Sequence, residues 1–340
     1  MVVARKQTCC HGADCYIILY IYYYQIIGEI MKIGMLDSGS GCLSVLHEAY
    51  HTLPAETEYV IYADLDHVPY GTKQQEEIVE LTRKGIRMLA DRGVDAVVIA
   101  CNTATGAAIK AMREEFDFPI VGMEPAIKPA LEIVLGEELQ YVSYAAGCAR
   151  EAEKQTKQET CSNKKRVLAA ATPLALQAEK FHKLVNRYDE YDLVDPIALP
   201  GLVTFAEKED FDEERICTYL LEEMDAHHYR KEDYGALVLG CTHFNYFKPI
   251  YRKLFGEEIR FVDGRHGTIR HLADLVGMAY SSAGYLSWLW LPGSPSQGSI
   301  VFFCTYPCCK WCLVIFQFRY HVSSLPGNER VVFCSGGEAV

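Results

Sequence analysis

The sequence predicts an α/β protein built as two pseudo-symmetric domains, each a mostly parallel sheet flanked by helices, with a cleft between them. Between residues 31 and 278, continuous apolar runs alternate with amphipathic segments of helical period. Continuous runs are typical of parallel strands, because helices cover both faces of such a sheet. The two halves also share a sequence pattern. One apolar run in each half ends at a cysteine, Cys101 or Cys241, which is followed by polar residues.

The first half contains four predicted strands and three predicted helices. A Gly/Ser turn ends the first strand, and Gly93 ends the longest helix, because glycine interrupts both kinds of element. The strands are Lys32–Leu36, Glu58–Ala63, Ala96–Ala100 and Pro119–Met123, and the helices are Leu43–Leu53, Gln74–Arg92 and Ala107–Phe116.

The second half repeats this alternation after a polar, charge-rich stretch, Gly136–Lys165, that has no clear period. We interpret that stretch as an inserted surface loop or a solvated helix. The strands of the second half are Arg166–Ala171, Leu193–Ala198, Ala236–Gly240 and Ile259–Asp263, and the helices are Pro125–Val134, Pro173–Tyr188 and Asp212–His228.

Composition restricts the function. The chain has 340 residues, is 50% apolar and carries a net charge of −12, with a pI near 5.4. This balance argues against a general nucleic-acid binder, and local donors must hold any anionic ligand. Only six of the 14 cysteines lie between residues 31 and 278, at irregular spacings. We therefore expect reduced thiols, a cytoplasmic location and no nucleic-acid or membrane partner.

The two flanks, 1–30 and 279–340, differ from the middle segment because they are poor in charge and hold the other eight cysteines. Tyr16–Ile27 is apolar but too short to span a bilayer, and Pro307 and Lys310 interrupt the longer stretch Ile300–Phe318. We expect residues 1–30 to be a non-functional extension and 279–340 a disordered or artefactual tail. A metal cluster at Cys304, Cys308, Cys309 and Cys312 is disfavoured because its spacing has no second half.

Cys101 and Cys241 are the strongest candidates for chemistry. A buried structural cysteine is the alternative for each, but both follow a buried strand and precede a predicted helix. In open α/β sheets ligands bind at the carboxyl ends of the strands. A helix N-terminus also lowers the pKa of a thiol, and His243 stands two residues after Cys241, where it can act as a base or stabilise a thiolate.

The first strand ends in the motif LDSGSG, which contains Asp37 and Ser38. Asp, Ser and Gly are ordinary turn residues, so a plain turn is the alternative interpretation. The glycines also let backbone amides approach a ligand closely. The motif is neither a P-loop nor a dinucleotide-binding fingerprint.

Five motifs together resemble the bacterial glutamate racemase family of the aspartate/glutamate racemase superfamily. They are LDSGSG, DLDHVPYG, ACNTAT, GMEPAIKPA and GCTHF, and the resemblance covers about Lys32 to Gly277. It implies a cofactor-independent racemase that supplies D-glutamate for peptidoglycan synthesis, with its site in the interdomain cleft. It further implies a first domain of 31–122 plus about 245–278 and a second domain of 123–244 with the insertion at 136–165.

The resemblance also assigns roles to individual residues. Cys101 and Cys241 match the two acid/base thiols, with Asp37 supporting Cys101 and His243 supporting Cys241. Two bases on opposite walls can exchange the α-proton without moving, and no metal or other cofactor is expected. The expected substrate contacts are Ser38, Asp64, Pro69, Tyr70, Gly71, Asn102, Thr103, Thr172, Glu207 and Thr242.

Three departures from the family pattern leave alternatives open. Cys42 replaces the last glycine of the first loop, where it would crowd the turn or add a third thiol, and Ala175 stands where a second threonine is common. The insertion is also long. The rivals are an aspartate or broader racemase of the same superfamily, disfavoured by His243, and an inactive binding protein with this fold. The sequence leaves open whether the chain forms a homodimer.

Overall fold

The computed structural model describes residues 30–54, 57–136 and 164–280, together with the backbone of strands at 300–304, 331–335 and 338–339. Two separate sheets organise these residues, and helices cover both faces of each. The fold class predicted from the sequence is therefore confirmed. The segment Tyr16–Ile27 and nearly all of the predicted insertion lie outside the described residues.

The first sheet has the strand order β11 (Glu338–Ala339), β10 (Val331–Ser335), β9 (Ile300–Cys304), β2, β1, β3 and β4, and its first four strands in chain order are all parallel. Those strands are β1 (Lys32–Asp37), β2 (Glu58–Ala63), β3 (Ala96–Ile99) and β4 (Ile120–Gly122). The helices of this half are α1 (Cys42–Thr52), α2 (Gln75–Ala90) and α3 (Asn102–Glu115), with a 3-10 helix at Tyr70–Thr72.

The second sheet has the parallel order β6-β5-β7-β8. Its strands are β5 (Arg166–Ala171), β6 (Val194–Ala198), β7 (Tyr234–Gly240) and β8 (Arg260–Asp263). The helices around it are α4 (Ile127–Leu135), α5 (Pro173–Gln177), α6 (Glu179–Tyr188), α7 (Pro200–Glu207), α8 (Glu213–Ala226) and α9 (Lys248–Phe255), with 3-10 helices at Lys231–Asp233 and Thr242–Phe247.

Each sheet has an apolar core on both of its faces. Strand residues alternate between them: Ile33 and Met35 face α1, whereas Leu36 lies in the cluster that α2 and α3 cover. In the second half, Leu237 and Val238 likewise point to opposite cores. Burial on both faces is why these strands are continuous apolar runs in the sequence.

The chain returns to the first half later than the sequence suggested. Residue 245 was the predicted boundary, but β8 pairs with β7, and Tyr251 of α9 packs in the core of the second half. The chain returns to the first half at Gly264. Gly264 lies against the backbone of Glu124, where the chain first passes from the first half to the second. The last helix, α10 (Arg265–Val276), then packs on the first sheet.

Two helices differ from their predicted bounds. α3 begins at Asn102 instead of Ala107, because Cys101 caps the helix and polar residues fill its first turn. The helix predicted over 173–188 is divided at Ala178, whose extended backbone separates α5 from α6. Three helices, α7, α9 and α10, were not predicted from the sequence.

The tail contributes strands, although we expected it to be disordered or foreign to the fold. β9 (Ile300–Cys304) pairs parallel to β2, and β10 (Val331–Ser335) pairs parallel to β9. β11 (Glu338–Ala339) closes this edge in antiparallel pairing. The remaining cysteines of the proposed metal alternative, Cys308, Cys309 and Cys312, lie outside the described residues.

Two helical glycines provide a matched test of the packing. An added Cβ at Gly85 of α2 would lie 2.5 Å from Leu36 and 2.7 Å from the Tyr62 ring. Gly85→Ala should therefore destabilise the fold by about 1–3 kcal/mol through overpacking. No described atom lies within 4 Å of the equivalent position at Gly267 of α10, so Gly267→Ala should stabilise by up to about 1 kcal/mol.

Urea unfolding of both variants at neutral pH checks this pair. The opposite signs are the decisive feature, because helix propensity alone favours alanine at both positions. A Gly85→Ala protein as stable as the parent would contradict the close contact between α2 and the first sheet.

Candidate active site

Two cysteine thiols lie at the carboxyl ends of equivalent strands. Cys101 follows β3 and caps α3, and its Sγ accepts a hydrogen bond from the backbone N–H of Ala104 at 3.4 Å. Cys241 follows β7 and precedes the 3-10 helix that begins at Thr242. Both cysteines are buried, with 6% and 8% of their surface exposed. The cysteine–polar segment predicted in each half is thus at the ligand-binding edge of its sheet.

The Cys101 thiol has no cation beside it among the described residues. It donates a hydrogen bond to the hydroxyl of Ser38 at 3.5 Å, and that hydroxyl donates to Asp37 Oδ1 at 3.4 Å. Burial and the nearby Asp37 carboxylate raise the pKa of Cys101 to about 12, although Ser38 and Ala104 oppose the shift. Cys101 is therefore a neutral thiol in the free protein.

The Cys241 thiol has an imidazole as its neighbour. His243 Nδ1 lies 3.6 Å from Cys241 Sγ, and His243 Nε2 lies 2.5 Å from Glu207 Oε1. Burial alone would lower the pKa of His243, but its hydrogen bonds with Cys241 and Glu207 outweigh burial and raise the pKa above its usual value. Burial likewise opposes ionisation of Glu207, yet His243 holds its pKa below the usual value. The raised pKa favours the cationic form of His243 beside the Cys241 sulfur.

One carboxylate joins the two thiol environments. Asp37 is fully buried and accepts hydrogen bonds from the backbone N–H of Ser38 at 2.7 Å and from the Thr242 hydroxyl at 2.9 Å. The second bond crosses from one half of the molecule to the other. Burial raises the pKa of Asp37 to about 6, while the charge of His243 and the Thr242 bond pull it down.

The glycines of the LDSGSG loop allow close contact with the second half. A Cβ on Gly41 would lie 2.0 Å from Thr242 Oγ1, and a Cβ on Gly39 would lie 2.4 Å from Glu207 Oε1. Between them, the backbone N–H of Ser40 donates to Glu207 Oε1 at 2.8 Å. A larger residue at either glycine would push the halves apart.

Asp64 lies beneath the PYG segment rather than on the surface of the cleft. It is fully buried and accepts hydrogen bonds from the Tyr70 hydroxyl and from His67 Nδ1, both at 2.7 Å. The hydroxyl of Tyr70 is thereby occupied. Pro69, preceded by a cis peptide bond, and Gly71 follow the same turn.

A cavity of about 240 Å³ lies beside this turn, between the two halves. Thr172 borders it and also shares a hydrogen bond of 2.9 Å with Thr103, next to Cys101. The residues that line the cavity are Pro69, Gly71, Thr72, Thr172, Pro200, Gly201, Val203 and Thr204.

Asn102 carries a polar atom without a partner. Its buried Oδ1 accepts no hydrogen bond from any described residue. Since buried acceptors are rarely left unpaired, this oxygen is available to a donor on a bound molecule.

The departures from the family pattern have clear locations. Cys42 is fully buried in the core of the first half, where burial raises its pKa well above the usual value, so it is a core residue and not a third exposed thiol. Ala175 is also buried, and its backbone N–H donates to Thr172 Oγ1 at 3.3 Å.

Sequence reasoning missed two features of the site. Tyr246 donates a hydrogen bond to the carbonyl of Ser40 at 2.8 Å, and Glu207 contacts His243 instead of only lining the cleft. Both contacts join residues far apart in the chain. An aromatic residue after GCTHF resembles any core residue, so the sequence carried no signal for it.

Two classes of site receive no support in the described part of the chain. Its His, Cys, Asp and Glu side chains form no group of three arranged to hold a metal ion. None of its helices combines the length and apolar character that crossing a membrane requires.

Comparison with known proteins identifies the family. The Asp/Glu/Hydantoin racemase model matches residues 33–136. The glutamate racemase of Halothermothrix orenii is 42% identical over 273 residues, which cover 80% of this chain and 92% of that protein. The chain belongs to the glutamate racemase family. Glutamate racemase 2 of Bacillus subtilis is 44% identical over 242 residues, covering 71% of this chain and 80% of that relative.

Solved structures of the glutamate racemase family share the fold. Escherichia coli glutamate racemase, crystallised with L-glutamate and the activator UDP-MurNAc-ala, is 25% identical with a TM-score of 0.65, over 92% of this chain and 99% of that one. The RacE1 isoform from Bacillus anthracis has a TM-score of 0.63 at 21% identity, over 89% of this chain and 97% of that one.

The unequal thiol environments predict unequal reactivity. Because the thiolate is the reactive form and burial beside Asp37 raises the pKa of Cys101, iodoacetamide at pH 7.5 should alkylate Cys241 at least about 10-fold faster than Cys101. Peptide mass spectrometry over time measures both rates in one sample. Cys42 is the internal control for a thiol that is fully buried. Faster alkylation of Cys101 would contradict the assignment of the imidazolium to Cys241.

Proposed function

We propose that this protein interconverts L- and D-glutamate without a cofactor, using Cys101 and Cys241 as the two acid/base groups. The observation that carries the proposal is one buried thiol from each half, each with its own polar support, joined through the Asp37–Thr242 hydrogen bond. A structural role for the cysteines would not require a buried His243–Glu207 pair beside one of them.

The chemistry proceeds by removal of the α-proton on one face and delivery on the other. The Cys241 thiolate takes the proton, so the Cα–H bond breaks and an S–H bond forms. The Cys101 thiol then gives its proton to the opposite face of the carbanionic carbon, which inverts the centre and leaves a thiolate at Cys101. The reverse direction uses the same steps in the opposite order, so neither thiol needs to swing across the substrate.

The surroundings of the thiols supply donors and acceptors for an amino acid. The unpaired Oδ1 of Asn102 suits the substrate ammonium group. The buried Thr103 hydroxyl, which can act as donor or acceptor, suits the α-carboxylate and stabilises charge as the carbanion forms. The Ser38 and Thr242 hydroxyls donate to Asp37, so their oxygens remain as acceptors for the ammonium group. Such fixed dipoles act strongly in a site that excludes water.

We infer that the distal carboxylate binds in the cavity beside the PYG turn. Gly71 approaches Thr172 closely, since a Cβ there would lie 2.9 Å from Thr172 Cβ. The Asp64 hydrogen bonds to Tyr70 and His67 fix the turn from below, so backbone amides of the turn and the Thr172 hydroxyl are the groups that remain for the ligand.

Relatives named glutamate racemase support a role in cell-wall synthesis. D-glutamate from this reaction would enter peptidoglycan in the cytoplasm and thereby maintain cell shape. We also propose that residues 1–30 and 279–340 take no part in the chemistry, because each residue assigned a role lies between positions 37 and 246.

Glutamate should be preferred to aspartate by about 100-fold or more in kcat/KM. A substrate one methylene shorter cannot place its α-carbon between the thiols and its second carboxylate in the cavity, and unpaired polar groups are costly. Exchange of the α-proton in deuterated water, followed by NMR for both amino acids, measures this on the full chain and on residues 31–280. Equal exchange on both substrates would indicate a broader racemase, and binding without exchange would indicate an inactive binding protein.

Replacing either thiol should separate racemisation from a one-base reaction. Cys101→Ser and Cys241→Ser should each lower racemisation by at least about 10³-fold, because a hydroxyl is a far weaker acid than a thiol and is not ionised near neutral pH to act as a base. Each variant should still eliminate HCl from one enantiomer of β-chloroglutamate, which needs one base only, and the two variants should accept opposite enantiomers. Cys217→Ser is the control, since Cys217 lies in α8 and is partly exposed. Racemisation by either site variant at the parent rate would refute the two-thiol mechanism.

Asp37 should give the protein a pH dependence near its pKa of about 6. As the pH falls through this value the carboxylate is protonated and loses an acceptor, so kcat/KM should decline below pH 6, and Asp37→Asn should lack that decline.

The free energy of unfolding should change with pH in the opposite direction. Because folding raises the pKa of Asp37, burying its charged form lowers the free energy of unfolding above pH 6 but not below the ordinary value of 3.8. Asp37→Asn should therefore remove a loss of at most about 3 kcal/mol between pH 4 and 7 in urea titrations.

A further inference from the structure

Tyr246 connects the two halves of the molecule through a single hydroxyl. It lies in the 3-10 helix that contains Thr242 and His243, and its hydroxyl donates to the carbonyl of Ser40 at 2.8 Å. Its ring also meets the His243 imidazole edge-on, with ring centroids 6.4 Å apart. Burial raises the pKa of Tyr246, so the hydroxyl is neutral and acts as a donor.

Ser40 is held at both of its backbone groups. Its N–H donates to Glu207 Oε1 at 2.8 Å, and the same carboxylate oxygen lies 2.5 Å from His243 Nε2. Its carbonyl accepts from Tyr246. Ser40 of the first half is thus hydrogen-bonded to Glu207 and Tyr246 of the second half. Both of these residues also contact His243.

We propose that Tyr246 is a positioning residue that, with Glu207, holds the Ser40 peptide against His243 when the cleft is closed. The proposal rests on the racemase function proposed above. Ser38, two residues before Ser40, carries the hydroxyl that binds Cys101. Holding Ser40 therefore fixes the contacts of both thiols at once, one through Ser38 and the other through His243.

The proposal treats this contact as one that opens for substrate entry. Cys101 and Cys241 are both buried, which agrees with halves that separate to admit an amino acid. Removing the Tyr246 hydroxyl lowers the population of the closed form without changing the groups that react. The apparent affinity for substrate then falls in proportion to the fraction of molecules that are closed, while the rate at saturation is retained.

A second tyrosine provides a matched control. Tyr251 is also buried in the second half, and its hydroxyl has no hydrogen-bond partner among the described residues. Tyr246→Phe and Tyr251→Phe each remove one hydroxyl from neighbouring elements. They differ in whether that hydroxyl bonds to Ser40.

The test compares both variants of the full chain in two assays. Tyr246→Phe should raise KM for glutamate about 3- to 10-fold, the effect of one neutral hydrogen bond, with kcat changed less than about 2-fold. Tyr251→Phe should leave both constants at the parent values. In the free protein, Tyr246→Phe should also speed alkylation of Cys241 by iodoacetamide, because the site opens more often.

The alkylation assay needs no turnover, so it distinguishes failure of this proposal from failure of the proposed reaction. Faster alkylation in Tyr246→Phe alone supports the positioning role even if glutamate proves not to be the substrate. Equal alkylation rates and equal KM values in the two variants would overturn the proposal. A lower kcat and a lower midpoint of thermal unfolding in Tyr246→Phe, with KM unchanged, would also overturn it by indicating a structural role.

Discussion

The hydrogen bond from Thr242 to Asp37 is the contact on which the site depends. It crosses the cleft at 2.9 Å and ends on a carboxylate that is fully buried. A buried carboxylate needs compensation, which comes from the Ser38 N–H, the Thr242 hydroxyl and the charge of His243. Because those groups belong to both halves, the carboxylate is satisfied only when the halves are together. The glycines on either side of Ser40 make this approach sterically possible.

The same network explains why two similar strand ends produce unlike thiols. Cys101 has a hydroxyl and a nearby anion, whereas Cys241 has an imidazolium. A reaction that removes a proton on one face and delivers one on the other needs a base and an acid at the same time. On the proposed mechanism these unequal surroundings assign the two roles, and each turnover would exchange them. The duplication of the fold therefore supplies two thiols, and residues outside the duplicated pattern make them different.

Much of the fold could be predicted from the sequence because its signals are local. Buried parallel strands are apolar runs wherever they occur, so eight strands and the positions of both cysteines were predicted. Contacts that depend on how the halves pack were not: Ser40 bonds to Glu207 and Tyr246, which are 167 and 206 positions away. The boundary at Gly264 and the pairing of β9 with β2 were missed for the same reason.

A crystal structure of the full chain with glutamate bound is the most direct measurement of the central claim. The account predicts that the α-carbon lies between the two sulfurs, with Cys101 Sγ and Cys241 Sγ on opposite faces and each about 3–4 Å from it. It also predicts the ammonium group at Asn102 Oδ1. Both sulfurs on one face of the α-carbon, or one sulfur too far away for proton transfer, would contradict the two-thiol mechanism.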